Sequence, residues 1–79
     1  MPKSEIIKVD KYHRIKVIHD EYDTYIPQRK GLIFWHDYKV YNYDYGFYQE
    51  VDFDSSCDTI EEVIEFMIEE DEKYGTYGN

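Results

Sequence analysis

Apolar and polar positions alternate from Tyr12 to His19, with Ile15 and Val17 on one side and Arg14, Lys16 and Ile18 on the other. That period of two predicts a half-buried β-strand. A preceding run, Glu5 to Val9, reads as a short strand that pairs with it or lies at the sheet edge. Asp20-Glu21-Tyr22-Asp23 reads as a turn and Thr24 to Ile26 as a brief strand. Pro27 and Gly31 then bracket a second break, since proline brings no N–H to a ladder. From Leu32 to Tyr43 nearly every residue favours β structure and no helical period fits, so one continuous strand is expected. Leu32, Phe34, His36, Tyr38 and Val40 share one face of it, and Ile33, Trp35, Tyr41 and Tyr43 the other. Apolar residues on both faces suit a central strand, or one whose second face meets a partner. Asp44-Tyr45-Gly46 fits a three-residue hairpin loop with Gly46 left-handed. The return strand, Phe47 to Phe53, is expected to turn Phe47, Val51 and Phe53 inward and Tyr48, Glu50 and Asp52 outward.

The period changes to that of a helix at the C-terminal end. Ile60, Val63, Ile64, Met67 and Ile68 fall at i, i+3, i+4, i+7 and i+8 and form one apolar stripe. Asp58 or Thr59 can cap the free amides at its start, Thr59 and Glu62 have capping-box spacing, and Gly75 is the expected stop. The fold class that follows is α+β: a small antiparallel meander of three to five strands, then one C-terminal α-helix packed on one face. Residues 1–79 are expected to make a single domain, with residues 1–4 and 75–79 frayed.

Charge sharpens this picture. The chain has 79 residues, 18 of them Asp or Glu and nine Lys or Arg, for a net charge of −9. Up to His36 the balance is +2, with seven basic residues against five acids, whereas from Asp37 onward two lysines face thirteen acids. On the helix, Glu61, Glu62, Glu65, Glu69 and Glu72 fall within about a third of the circumference, opposite the apolar stripe. The helix dipole favours acids in the first turn but disfavours Glu69 to Glu72 near the C-terminus. Either this ridge is a solvated face, or, with Asp44, Asp52 and Asp54, it presents a field like that of a phosphate backbone to a basic partner.

Tyrosine is the second compositional signal, with ten in the chain. Trp35, Tyr41, Tyr43, Tyr45 and Tyr48 surround the proposed hairpin, where they serve either as cross-strand pairs that stabilise a sheet or as anchors of an interface. Stacking platforms for a single-stranded nucleic acid are a further alternative, although the neighbouring acids would repel its phosphates. The partner-binding set is therefore the five glutamates, the three aspartates and the five aromatics just named.

In charge and size the segment from Asp37 to Glu72, about half the chain, resembles small acidic phage-encoded inhibitors of the DNA-mimic and anti-CRISPR type. The resemblance rests on composition rather than on a motif. It implies a non-catalytic inhibitor that occupies the nucleic-acid site of a basic, nucleic-acid-binding protein such as a CRISPR effector or another defence nuclease, in the host cytoplasm. The alternative from a different class is a homodimeric structural or regulatory subunit that self-associates through its aromatic sheet face.

Nothing in the sequence specifies catalysis. His13 and His19 share a strand face but lie about 20 Å apart along it, too far to bind one metal. His36 and Cys57 form no recognisable nucleophile pair, and glycine-rich phosphate loops, serine elbows and metalloprotease signatures are missing. No enzyme activity, metal or cofactor is expected. The lone Cys57 rules out an internal disulfide and suits a reducing compartment. No run approaches the roughly 20 apolar residues of a membrane span, and no signal-length apolar run follows Met1, so a cytoplasmic protein is expected. A domain this short buries only about 60% of the surface of its unfolded chain, which leaves little margin for stability.

Overall fold

The computed structural model describes residues 3–74. They fold as an α+β unit in which antiparallel strands precede one helix. Strands β1 (Lys3–Lys8), β2 (His13–His19), β3 (Asp23–Lys30) and β4 (Trp35–Asp37) follow one another across a sheet, and β7 (Phe53–Asp54) returns to pair with β3 beside β4. β5 (Lys39–Asn42) and β6 (Phe47–Glu50) make a separate two-stranded hairpin. Helix α1 (Ile60–Tyr74) closes the order. Lys3 and Ser4 pair with His19 and Ile18, so β1 starts earlier than the expected fraying allowed. The Gly75 stop and the fraying of the last residues lie outside the described residues.

The alternation in β2 does what its period predicts: Ile15 and Val17 are buried while Arg14, Lys16 and Ile18 turn to the other face. β3, by contrast, does not break at Pro27. It runs eight residues through the proline because of what lies along its outer edge. β7 pairs with Thr24 and Tyr25, and β4 with Gln28 to Lys30, which leaves Pro27 in the gap between two partners. The Pro27 carbonyl accepts the Tyr38 N–H at 3.1 Å on that side, so the missing proline donor falls where no ladder bond is required.

Nor does the continuous strand from Leu32 to Tyr43 form. Leu32, Ile33 and Phe34 are exposed on a turn closed by the Gly31 N–H to the Phe34 carbonyl at 2.8 Å. A Cβ on Gly31 would stand 2.7 Å from the His36 ring, so only glycine fits this close approach. The chain then leaves the main sheet at buried Tyr38, which separates β4 from β5. The hairpin loop has four residues, Tyr43 to Gly46, not three, because Asn42 pairs with Phe47. Gly46 is left-handed as expected, with φ of 72°. Phe47 is exposed rather than inward, since β6 pairs only with β5 and no core lies against it.

The core lies between α1 and the Ile15 face of the sheet: Ile15, Val17, Tyr38, Val63 and Met67, flanked by Ile7, Val9, Tyr25, Phe53, Ile60, Ile64 and Phe66. Phe66 replaces Ile68 in the buried stripe, and Ile68 is half exposed. The stripe is centred on Val63 and Met67. Phe66 follows Val63 by three residues, while Ile68 lies 100° beyond Met67.

One carboxylate locks the helix to the sheet. Asp71 occupies the i+4 position from Met67, so it extends the core-facing side of α1, and its side chain is 16% exposed. Its Oδ1 accepts from Arg29 Nη1 and from the Tyr38 hydroxyl, both at 2.9 Å, and its Oδ2 lies 2.6 Å from His13 Nε2. His13 Nδ1 faces Asp10 Oδ1 at 2.8 Å, so both ring nitrogens meet carboxylates. His19 repeats the pattern, with Nδ1 at 2.9 Å from Asp23 and Nε2 at 3.0 Å from Glu5. Carboxylates accept, so both nitrogens of a ring can donate to them only in the protonated form, and the arrangement favours imidazolium at both positions. Among the described residues no buried side-chain nitrogen or oxygen lacks a partner.

These contacts set the pH dependence of stability. Burial opposes the charge on His13, but the hydrogen bonds to Asp71 and Asp10 outweigh it and raise its pKa. Bonds to Asp23 and then Glu5 raise that of His19. A histidine with a raised folded pKa contributes stability that is complete below its ordinary value of about 6.5 and is lost as pH climbs through the raised value. Asp10 is lowered, its slight desolvation outweighed by bonds from His13 and Tyr12, so its contribution is present above about 3.9 and lost as pH falls through the lowered value. Stability should therefore peak between about pH 4 and 6.5. Melting temperature against pH should decline from 6.5 toward 9, and more shallowly in His13→Gln/His19→Gln. Asp71→Ala should lower the urea unfolding free energy by about 2–3 kcal/mol, because Arg29, His13 and Tyr38 lose the acceptor they share.

Candidate functional site

The thirteen residues singled out by charge and aromaticity divide among three places. The first is the outer face of α1, where Glu61, Glu62, Glu65, Glu69 and Glu72 are all exposed. Glu62 is also a cap: its Oε1 accepts the Thr59 N–H and hydroxyl, while Thr59 Oγ1 accepts the Glu62 N–H, all at 3.2 Å. Glu61, Glu65, Glu69 and Glu72 take no part in any ion pair among the described residues. Their charge is thus directed into solvent, and the apolar stripe on the far side of the helix fixes that orientation.

The second place is a groove of about 990 Å³ between the edge strand β4, the hairpin and the end of α1. Trp35, Tyr41, Tyr43 and Tyr48 line it together with the core residue Tyr38. Tyr41 and Tyr48 are direct cross-strand partners, which puts both rings on one face of the hairpin. Tyr41 meets Tyr43 and Tyr48 edge to face, with centroids 4.9 and 5.2 Å apart and both pairs at 75°. Tyr45 is not in the groove. It lies on the loop and packs on Phe47 at 5.9 Å.

None of the five helix glutamates lines this groove; its acids are Asp37, Glu50 and Glu70, and its cations are Arg29 and Lys39. Lys39 sits directly across from Glu50 in the hairpin register. The groove is therefore mixed in charge, and the carboxylate ridge and the aromatic cluster are two separate surfaces. A sequence signal for Glu70 existed, because it follows Phe66 by four residues and so shares its flank of the helix. Arg29 and His36 carried no comparable signal, since the β3–β4 register alone brings them opposite one another.

The three aspartates form the third group, and they do not converge. Asp44 is exposed on the hairpin loop, where its N–H and that of Tyr45 are held by Asn42 Oδ1 at 2.9 and 3.2 Å. Asp52 is exposed in the link between β6 and β7. Asp54 shapes the turn into α1: its Oδ1 accepts the Ser56 N–H and hydroxyl, both at 2.8 Å, and these bonds, the backbone one first, lower its pKa.

Among the described residues no group of His, Cys, Asp and Glu is arranged to hold a metal ion, and no helix is long and apolar enough to cross a membrane. Cys57 is exposed. Comparison with known protein families, with characterised proteins and with solved structures gives no match.

Because Tyr41 holds two ring contacts and Tyr45 one on an open loop, the two should respond differently to truncation. Tyr41→Ala should weaken the hairpin by about 1–2 kcal/mol, read as faster hydrogen exchange at Lys39–Asn42 with the helix amides unchanged. Tyr45→Ala should change the same amides by less than about 0.5 kcal/mol.

Proposed function

We propose that the protein is a non-catalytic binding module and inhibitor that sets the outer face of α1 against the basic surface of a nucleic-acid-handling protein, keeping that surface from its nucleic acid. The observation that carries this reading is the exposed row of helix glutamates, of which Glu61, Glu65, Glu69 and Glu72 take no part in an ion pair among the described residues. Acids outnumber Lys73 in the last turns of the helix, where the dipole prefers cations, so the ridge opposes its own folding there. A partner rich in Lys and Arg would relieve that repulsion. From Glu61 to Glu72 the ridge runs about 16 Å at 1.5 Å per residue, with a carboxylate every 5 Å or so, against roughly 3.4 Å between phosphates along a DNA strand. Long glutamate side chains can close part of that difference by splaying. The exposed rings of the hairpin would add short-range affinity to an encounter steered by charge.

The test uses the intact protein immobilised against cell lysate at about 50 and 200 mM salt, with duplex DNA as competitor. The reading expects nucleic-acid-binding proteins to be captured at the lower salt, released at the higher, displaced by the DNA, and not captured by Glu65→Lys/Glu69→Lys/Glu72→Lys. Glu62 is left intact there because it caps the helix. Capture indifferent to salt, to DNA and to the charge reversal would overturn it.

A further inference from the structure

A second surface lies on the opposite side of the molecule. Direct cross-strand partners share a face, so the registers of β1 to β4 can be followed across the sheet on the side turned away from α1. Lys8 stands beside Arg14 and Arg14 beside Gln28, then Gln28 beside Asp37. In the next row Ile6, Lys16 and Ile26 are neighbours, and Lys30 is paired with Trp35 at the other end. Ile15 and Val17, on the reverse of β2, are the residues packed against the helix. The face is thus basic and apolar, while the helix side is acidic.

Its acids are already engaged. Asp37 Oδ1 accepts from Gln28 Nε2 at 2.6 Å, Gln28 Oε1 accepts from Arg14 Nε at 2.7 Å, and Asp54, next to Thr24 at the far corner, is held by Ser56. Lys8, Lys16 and Lys30 make no ion pair among the described residues. Aromatic rings are interleaved with the cations. The Arg14 guanidinium carbon sits 4.4 Å from the Trp35 ring centroid, and Lys11 Nζ lies 5.5 Å from that of Tyr12. Tyr12, in the bend that leads into β2, is 54% exposed, and its carbonyl accepts the Lys30 N–H at 2.9 Å, which ties it to the Lys30 end of the sheet. Arg14 and Lys16 stand about 7 Å apart along β2, with Tyr12 before them and Trp35 across β3, so cations and planar groups lie side by side as a chain of phosphates and flat bases requires.

We infer that this helix-free sheet face is a binding surface for single-stranded nucleic acid, with Lys8, Arg14, Lys16 and Lys30 against phosphates and with Tyr12 and the Arg14–Trp35 pair as stacking platforms. Bases stack on tyrosine and tryptophan rings and on arginine planes alike, and a flat sheet offers them side by side. A duplex would present its phosphates but keep its bases out of reach. The net charge of −9 on the whole molecule works against any polyanion, so affinity is modest and depends on low salt. This face is independent of the helix ridge, so either can fail without the other.

Trp35 is the chain's only tryptophan, which places the reporter on the proposed surface. Titration of the full chain with a short oligothymidylate at low salt should quench its fluorescence saturably. The logarithm of the binding constant should fall against that of the salt concentration with a slope of about −2 to −3, as expected for up to four neutralised phosphates. Lys8→Glu/Lys16→Glu/Lys30→Glu should abolish the quenching, and the milder triple alanine variant should weaken it at least about tenfold. Glu65→Lys/Glu69→Lys/Glu72→Lys should retain it. Absence of quenching at low salt, equal quenching by a duplex or by polyglutamate at matched charge, or undiminished binding by a folded triple alanine variant would each overturn the inference.

Discussion

The Asp71 carboxylate is the constraint on which the arrangement of this small protein depends. It stands near the C-terminal end of α1, where the helix dipole disfavours an anion, and on the side of the helix that faces the core. Such a group is tolerable only if cations and donors converge on it. Arg29 from β3, His13 from β2 and the Tyr38 hydroxyl from the β4–β5 break supply them, so three separate segments are aligned by one side chain. Tyr38 extends the same restraint. Its ring meets Phe66 at 5.8 Å, its N–H reaches Pro27 and its carbonyl accepts from Val51, which fixes where the hairpin leaves the main sheet. With a buried core of only five residues among those described and no disulfide, this polar node substitutes for the staple that a short chain otherwise lacks.

Charge is sorted by side. The helix turns its glutamates outward on one side of the sheet, while β1, β2 and β3 turn Lys8, Arg14, Lys16 and Lys30 to the other. The basic N-terminal half and acidic C-terminal half of the sequence thus become opposite faces of a thin molecule.

Local chemistry was readable from the sequence where one segment contains all the atoms involved. The strand around Ile15 and Val17, the Thr59–Glu62 capping box, left-handed Gly46 and the buried Val63–Met67 stripe are of this kind. What escaped was set by partners distant in sequence. Pro27 reads as a break until β4 and β7 are seen to leave a gap opposite it, and Leu32 to Tyr43 reads as one strand until Tyr38 is seen turning into the core. Asp71 was hidden among neighbouring acids of α1, although its place four residues after Met67 marked it as the one needing partners. The aromatic cluster was legible as a group, but not that Tyr45 lies outside it. Trp35 was grouped with the hairpin tyrosines, and only the folded sheet reveals its place beside Arg14.

The hairpin shares no ladder with the five-stranded sheet, since β5 and β6 bond only to each other. Changes in its length or tip therefore leave the register of β1 to β4 and the seat of α1 untouched. Diversifying selection would find in Tyr41, Tyr43, Tyr45 and Tyr48 a module whose side chains can be exchanged without renegotiating the rest of the chain. Sequence divergence among variants of this protein should accumulate there first, with Tyr38 and Asp71 standing as the boundary it does not cross.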